Sequence, residues 1–275
     1  MNSEEEENWA LLCKDGKKQS PIALSKDIAN EVFYTPFIWE NYDINPFAKI
    51  KNNGHSAEVR LHISSQERPE VKGGSLPNIY VLDHLHFHWK SEHTLDDYRF
   101  PLELHLVHHA KQFDSLASAV TTPQGVAVFS VMFDYSPDDA EYFKPLVSVI
   151  NTVTKHLESQ NMSDFSLRKF LPVDTAGYYR YDGSLTTPNC NEGIVWTVFT
   201  NTIPISQSQA LVFEELYTKN QKRLKHNYRS LQNINDRSIS IKVSPLRAGS
   251  QSTTSSILIT LSFGMISCMM SKIIY

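Results

Sequence analysis

Two short runs of alternating residues constrain this chain more than any other feature. Leu85-His86-Phe87-His88-Trp89 and Leu102-Glu103-Leu104-His105-Leu106 interleave apolar and polar side chains one by one, with Val107 following the second run. A helix would scatter such residues around a cylinder, whereas a strand sends alternate positions to opposite faces. His84, His86 and His88 then share one face, and Leu85, Phe87 and Trp89 the other. In the second run Glu103, His105 and Val107 stand opposite Leu102, Leu104 and Leu106. Residues 89–104 suffice for a turn and a return strand, and adjacent strands lie about 4.8 Å apart. Two histidines at i and i+2, plus one from the neighbouring strand, can therefore converge on one metal ion. Three neutral imidazoles leave the fourth tetrahedral position open to water, as in a catalytic zinc site, and no cysteine stands near enough in sequence to suggest a closed structural one. Glu103, on the face of His105, and Glu92 in Ser91-Glu92-His93-Thr94 are carboxylates that could take the second ring N–H of a ligating histidine. The competing reading, surface or core-satisfied histidines, suits a lone histidine better than three on two alternating strands.

The remaining chain reads as mainly β (α+β), with a predominantly antiparallel sheet and short peripheral helices. Period-2 alternation marks residues 55–63, 79–89, 101–110, 125–134 and 194–199 as strands. Helical spacing appears in residues 138–158 (Tyr142, Leu146, Val149, Ile150, Val153) and in 206–219, with Ser206 as the N-cap. With 275 residues and 41% hydrophobic side chains the chain can bury a large core. A net charge of −4 gives no basic surplus for nucleic acid, and 3 Cys are too few for a disulfide scaffold. No pattern in the sequence sets an oligomeric state.

The ends differ from the middle. Residues 1–7 carry the acidic run Glu4 to Glu7 and read as a solvated tail. Residues 8–245 show no linker or repeat and read as one catalytic domain. Residues 246–256 are rich in Ser and Thr, and 257–275 are apolar with Lys272 as the one charge. That arrangement fits a GPI-attachment signal, with a terminal membrane anchor or a packed soluble tail as alternatives.

Further motifs fall in a recognisable order. His86-Phe87-His88-Trp89, Ser91-Glu92-His93-Thr94 and Glu103-Leu104-His105-Leu106-Val107-His108 are preceded by Trp9, Gly16 to Ile22 (GKKQSPI) and Asn52-Asn53-Gly54-His55. They are followed by Gly183-Ser184-Leu185-Thr186-Thr187-Pro188, Trp196-Thr197-Val198 and Asn227-Tyr228-Arg229. Over residues 8–245 this series resembles the α-class carbonic anhydrases, most of all the extracellular, secreted or membrane-anchored members. The resemblance implies one large twisted sheet with a conical active-site cleft. It also implies reversible hydration of carbon dioxide to bicarbonate by zinc-bound hydroxide, and sensitivity to sulfonamide-type inhibitors. Carried over position by position, it makes His86, His88 and His105 the ligands of Zn2+ and Glu103 the residue that orients His105. Thr186 and Glu92 become the pair that aims the hydroxide, Thr187 the bicarbonate contact and His55 the proton shuttle. Val107, Val128, Leu185 and Trp196 become the apolar wall that holds carbon dioxide, with Asn227 and Arg229 in support.

The chain also departs from the pattern. His84 stands where many relatives have a glutamine behind the first zinc ligand, the hairpin over residues 89–92 is shorter, and Glu58 adds a carboxylate near the cleft. These bear on rate and inhibitor profile. Cys13 and Cys190 occupy the positions of a disulfide in extracellular relatives, which implies an oxidising compartment. Cys268 falls in the tail. The expected location is the outer face of the plasma membrane or the secreted fraction. Because no signal peptide precedes Trp9, that expectation implies an incomplete N-terminus. A non-catalytic binding or adhesion module on the same fold is the alternative function, and a weak esterase would use the same centre.

Overall fold

The alternating segments become long, paired strands. A computed structural model describes residues 9–245, and the site is carried by β1 (Phe47–Asn52), β2 (Ala57–His62), β3 (Tyr80–Trp89), β4 (Leu102–Ala110), β5 (Val126–Ser136), β6 (Tyr178–Ser184) and β7 (Glu192–Phe199). All lie in a 13-stranded sheet whose main path of ten runs Ser159–Met162, β1, β2, β3, β4, β5, β7, β6, Ile239–Lys242, Ala29–Glu31, with Phe37–Glu40, Glu70–Gly73 and Ile203–Ser206 branching from it. Pairing is antiparallel from the first of these strands as far as β5 and again between β7 and β6. The β5–β7 pair and the last pair are parallel, so the sheet is mixed although mostly antiparallel.

The two faces of the sheet have different chemistry, as the alternation requires. One face is apolar apart from the buried His108: Leu85, Phe87, Leu102, Leu104, Leu106, Phe129, Val131 and Phe133 pack with Phe143, Leu146, Ile150 and Phe213 of the covering helices. Each large side chain so buried contributes roughly 1.5–3 kcal/mol, so this face anchors β3 and β4 in register. The other face holds a smaller apolar cluster that includes Val107, Val128, Trp196 and Val198. Every residue of β4 is buried, the polar ones included.

The helices are shorter than their periodicity predicts. Within residues 138–158 only a 3-10 turn at Glu141–Phe143 and an α-helix at Lys144–Ile150 form. Beyond them Leu157 takes a φ of 70° and its N–H bonds to the Asn52 carbonyl, so the edge of the sheet recruits this stretch. Ser206 does cap Gln207–Leu211 through a capping box with Gln209, and a 3-10 turn at Val212–Glu215 follows. Cys13 and Cys190 form a disulfide. Segments 1–7, 246–256 and 257–275, with Cys268, lie outside the described residues. Among the described residues no helix is long and apolar enough to cross a membrane.

Candidate metal centre and active site

The strand register brings the histidines together. His86 on β3 lies directly opposite His105 on β4, and His88 opposite Glu103. Potential ligand atoms of His86, His88 and His105 all fall within 4.8 Å of one another. Ring centroids are 5.1 Å apart for His86–His88 and His86–His105, and 4.6 Å for His88–His105.

Each ring uses its outer nitrogen elsewhere and so turns the other nitrogen inward. His88 Nδ1 lies 2.9 Å from the Asn227 carbonyl, His105 Nε2 lies 2.7 Å from Glu103 Oε1, and His86 Nδ1 lies 3.2 Å from His84 Nε2. The inward set is therefore His86 Nε2, His88 Nε2 and His105 Nδ1. Of these, His105 Nδ1 and His86 Nε2 are 3.3 Å apart, while His88 Nε2 is buried without a hydrogen-bond partner. A buried polar atom left unmatched is costly, about 1–3 kcal/mol, and a metal ion would satisfy it. Burial holds the His88 imidazole down to about 3 and His105 below its ordinary value. His86 is well below its ordinary value, through burial and then the neighbouring imidazoles. Three neutral nitrogen donors converging from two strands fit a zinc ion.

Around them lies a second ring of polar groups. Burial would raise the Glu103 carboxyl, but His93 and His105 outweigh it and hold it well below the usual range. Glu103 Oε1 accepts from Ser130 Oγ at 2.6 Å and lies 2.7 Å from His93 Nδ1, and Oε2 accepts from the His93 N–H at 2.9 Å. The contacts continue from His93 Nε2 to the Tyr181 hydroxyl at 2.7 Å and from there to Ser20 Oγ at 2.9 Å. His93 and Ser20 stand inside quoted motifs but were given no role there, whereas Ser130 and Tyr181 carry no local signature, and only the strand register shows Ser130 opposite His105.

Glu92 is wholly buried beside the triad, with Oε2 3.5 Å from His88 Nε2 and Oε1 accepting from the Arg229 N–H at 2.8 Å. Burial and then the Glu103 charge push its carboxyl up to about 8, against the opposing pull of the Thr186 hydroxyl and Arg229. Thr186 is buried, Leu185 half-buried and Thr187 exposed. Val107 opposes Val128 on β5, and Val128 opposes Trp196 on β7, giving a continuous apolar strip beside the histidines. The indole of Trp196 lies 4.9 Å, centroid to centroid, from His105. His55 is exposed in the turn between β1 and β2, where its carbonyl accepts from Asn227 Nδ2 at 2.9 Å. Asn227 thus ties this turn to His88 and, through Oδ1, to the Trp89 N–H. Glu58 lies opposite His86 on β2.

These features define a mainly-β protein with a largely buried three-histidine centre, a neighbouring buried carboxylate–threonine pair and an apolar strip. A model of the eukaryotic-type carbonic anhydrase family matches residues 4–243, and the chain belongs to that family of enzymes, which hydrate carbon dioxide. It is 31% identical to putative carbonic anhydrase 5 of Caenorhabditis elegans over 265 residues, covering 92% of this chain and 85% of that one. It is 34% identical to rat carbonic anhydrase 4 over 246 residues (85% of this chain, 78% of the relative). Mouse carbonic anhydrase 15 is 34% identical over 212 residues, covering 72% of this chain and 65% of that protein.

Proposed function

We propose that this protein catalyses the zinc-dependent, reversible hydration of carbon dioxide, with His86, His88 and His105 holding the ion. The observation that carries the reading is the convergence of three inward imidazole nitrogens whose outer nitrogens are already engaged. When bound, zinc would supply a water nucleophile at neutral pH, by lowering the pKa of water to the value of about 7 long established for carbonic anhydrases themselves. The protein's own groups do the rest. Glu92 accepts a hydrogen bond from the Thr186 hydroxyl, which leaves the Thr186 oxygen free to accept one and so to orient the nucleophile's lone pair. Val107, Val128, Leu185 and Trp196 suit an apolar substrate, since they offer carbon dioxide nothing to compete with its attack. Thr187, exposed at the mouth, contacts the bicarbonate product. His55 takes the proton that must leave before the next turnover, because an imidazole titrates near neutral pH and is exposed here to buffer. Sulfonamide-type inhibitors would bind at the same centre.

Residues 8–245 form the catalytic unit in this reading, with residues 257–275 as a membrane attachment and 1–7 and 246–256 as flanking segments. The Cys13–Cys190 bridge supports an extracellular location, where disulfides persist. Metal content and stopped-flow carbon dioxide hydration of the full-length chain test the proposal together. About one zinc per chain, and activity lost on chelation and regained with zinc, are expected. Hydration undiminished by complete metal removal would overturn it.

A further inference from the structure

Behind His86 the polar contacts continue away from the triad. β3 pairs regularly with β4 until Leu82, opposite His108, and resumes at His84, opposite Val107. Asp83 is therefore the extra residue of a bulge, a device that re-aims a side chain. Its Oδ2 lies 2.7 Å from His84 Nδ1 and 2.9 Å from Arg60 Nη1. His84 Nε2 in turn lies 3.2 Å from His86 Nδ1. Arg60 uses Nε on Glu58 at 2.6 Å and is half exposed, so the series is anchored at the solvent edge of β2.

We propose that Asp83 is a positioning residue for the metal centre, acting through His84 on His86. This inference rests on the zinc reading above. Counting protons along the series gives one arrangement with neutral rings. A carboxylate only accepts, so the proton between Asp83 and His84 sits on His84 Nδ1. Neutral His84 then presents Nε2 as an acceptor, and the proton between the two rings sits on His86 Nδ1. The lone pair of His86 Nε2 is left pointing at His105 Nδ1, where a ligand is needed. Asp83 thus selects the ligating tautomer of His86 through one intervening ring and places negative charge behind it, which strengthens a metal-bound imidazole. Partial burial would raise the Asp83 carboxyl, but the His84 N–H and Arg60 outweigh it and hold it below its ordinary value.

The inference is tested by zinc dissociation constants, from competition with a chromogenic chelator, for the full-length wild type, Asp83→Ala, His84→Gln and the double variant. Loss of an outer partner typically weakens metal affinity 10–100-fold, and a loss of that size is expected for Asp83→Ala. A glutamine at position 84 can accept from His86 Nδ1 through its own carbonyl with no tautomer to select. His84→Gln should therefore hold zinc, and adding Asp83→Ala to it should cost much less. A loss at least about threefold larger in the wild-type background than in the His84→Gln background supports the relay. A smaller difference, or no loss in either background, overturns it, because a structural prop or a through-space charge would act alike in both. Failure of the wild type itself to take up zinc would instead refute the metal centre.

Discussion

His88 shows how much can depend on a single atom. Its Nδ1 is committed to the Asn227 carbonyl, and its Nε2 is buried with no hydrogen-bond partner 3.5 Å from a Glu92 oxygen that also lacks one. A ligand role explains why a folded chain tolerates that nitrogen there. Replacing His88 with Ala should abolish zinc retention and hydration together, measured by metal analysis and stopped-flow on the same preparation; full activity in a metal-free variant would refute the assignment. Thr186→Ala removes a hydroxyl but no metal donor. Zinc should stay bound while turnover falls, by roughly 10²-fold if the hydroxyl orients the nucleophile. A variant that lost its metal would show Thr186 to be structural instead. The role proposed for His55 belongs to a different step. His55→Ala should slow turnover on the order of 10- to 100-fold in dilute buffer and recover with imidazole-type buffers, since an exposed general base can be replaced from solution. Equal rates in every buffer would assign the proton to another group.

At the scale of strands, β4 concentrates the contrast between the two sides of the sheet. Its one face carries Glu103 and His105, and its other carries Leu104, Leu106 and His108 into the main core. His108 is fully buried there, with Nδ1 2.9 Å from the Leu106 carbonyl and Nε2 2.5 Å from the Tyr42 hydroxyl. Burial depresses this imidazole from 6.5 to about 3. An unfolded chain therefore binds a proton that the fold refuses between those values. The stability contribution is complete above pH 6.5 and is lost as pH falls toward 3, at up to about 1.4 kcal/mol per pH unit. Urea unfolding of wild type and His108→Gln between about pH 4 and 6.5 should differ in slope by about one proton, and parallel curves would show that His108 titrates freely. Five of the seven strands that carry the site were legible in the sequence, all but β1 and β6, because period-2 alternation survives wherever one sheet face is apolar and the other is not. The triad was legible for the same reason, since alternation together with an antiparallel return places His86, His88 and His105 on one face. What escaped depends on contacts between distant segments. The helix expected to run to residue 158 stops at Ile150 because Asn52 captures the backbone of Leu157 and Glu158. Ser130 and Tyr181 reach the site only through sheet register and loop packing, which no short motif encodes, whereas Asn227 was already named in support of the site.

Across the whole molecule, the three-histidine cluster on β3 and β4 is braced by segments from both ends of the described chain. Arg229, buried near the C-terminal end, donates through Nη2 to the Cys13 carbonyl at 2.7 Å and through Nη1 to Gln19 Oε1 at 2.9 Å and the Ser20 carbonyl at 2.8 Å. Its backbone N–H is the group that holds Glu92. Gln19 Nε2 donates in turn to the Cys190 carbonyl at 3.1 Å, and the Cys190 N–H bonds back to the Thr187 carbonyl at 3.0 Å. The Cys13–Cys190 bond closes this circuit covalently across 177 residues of sequence. A cross-link over so long a loop removes much freedom from the unfolded chain, and loss of a native disulfide typically costs about 2–5 kcal/mol. The Cys13→Ser/Cys190→Ser pair should lower the urea-unfolding free energy by about that amount. The three histidines are on strands held by the core, so zinc stoichiometry should be unchanged, while the Thr186–Thr187 loop, freed at Cys190, should lose turnover. Unfolding curves, metal content and hydration rates on one preparation distinguish these effects. Unchanged stability and turnover in the serine pair would show that the Arg229 hydrogen bonds brace the loop without the covalent bond. Loss of zinc would place the bridge among the determinants of the metal centre itself.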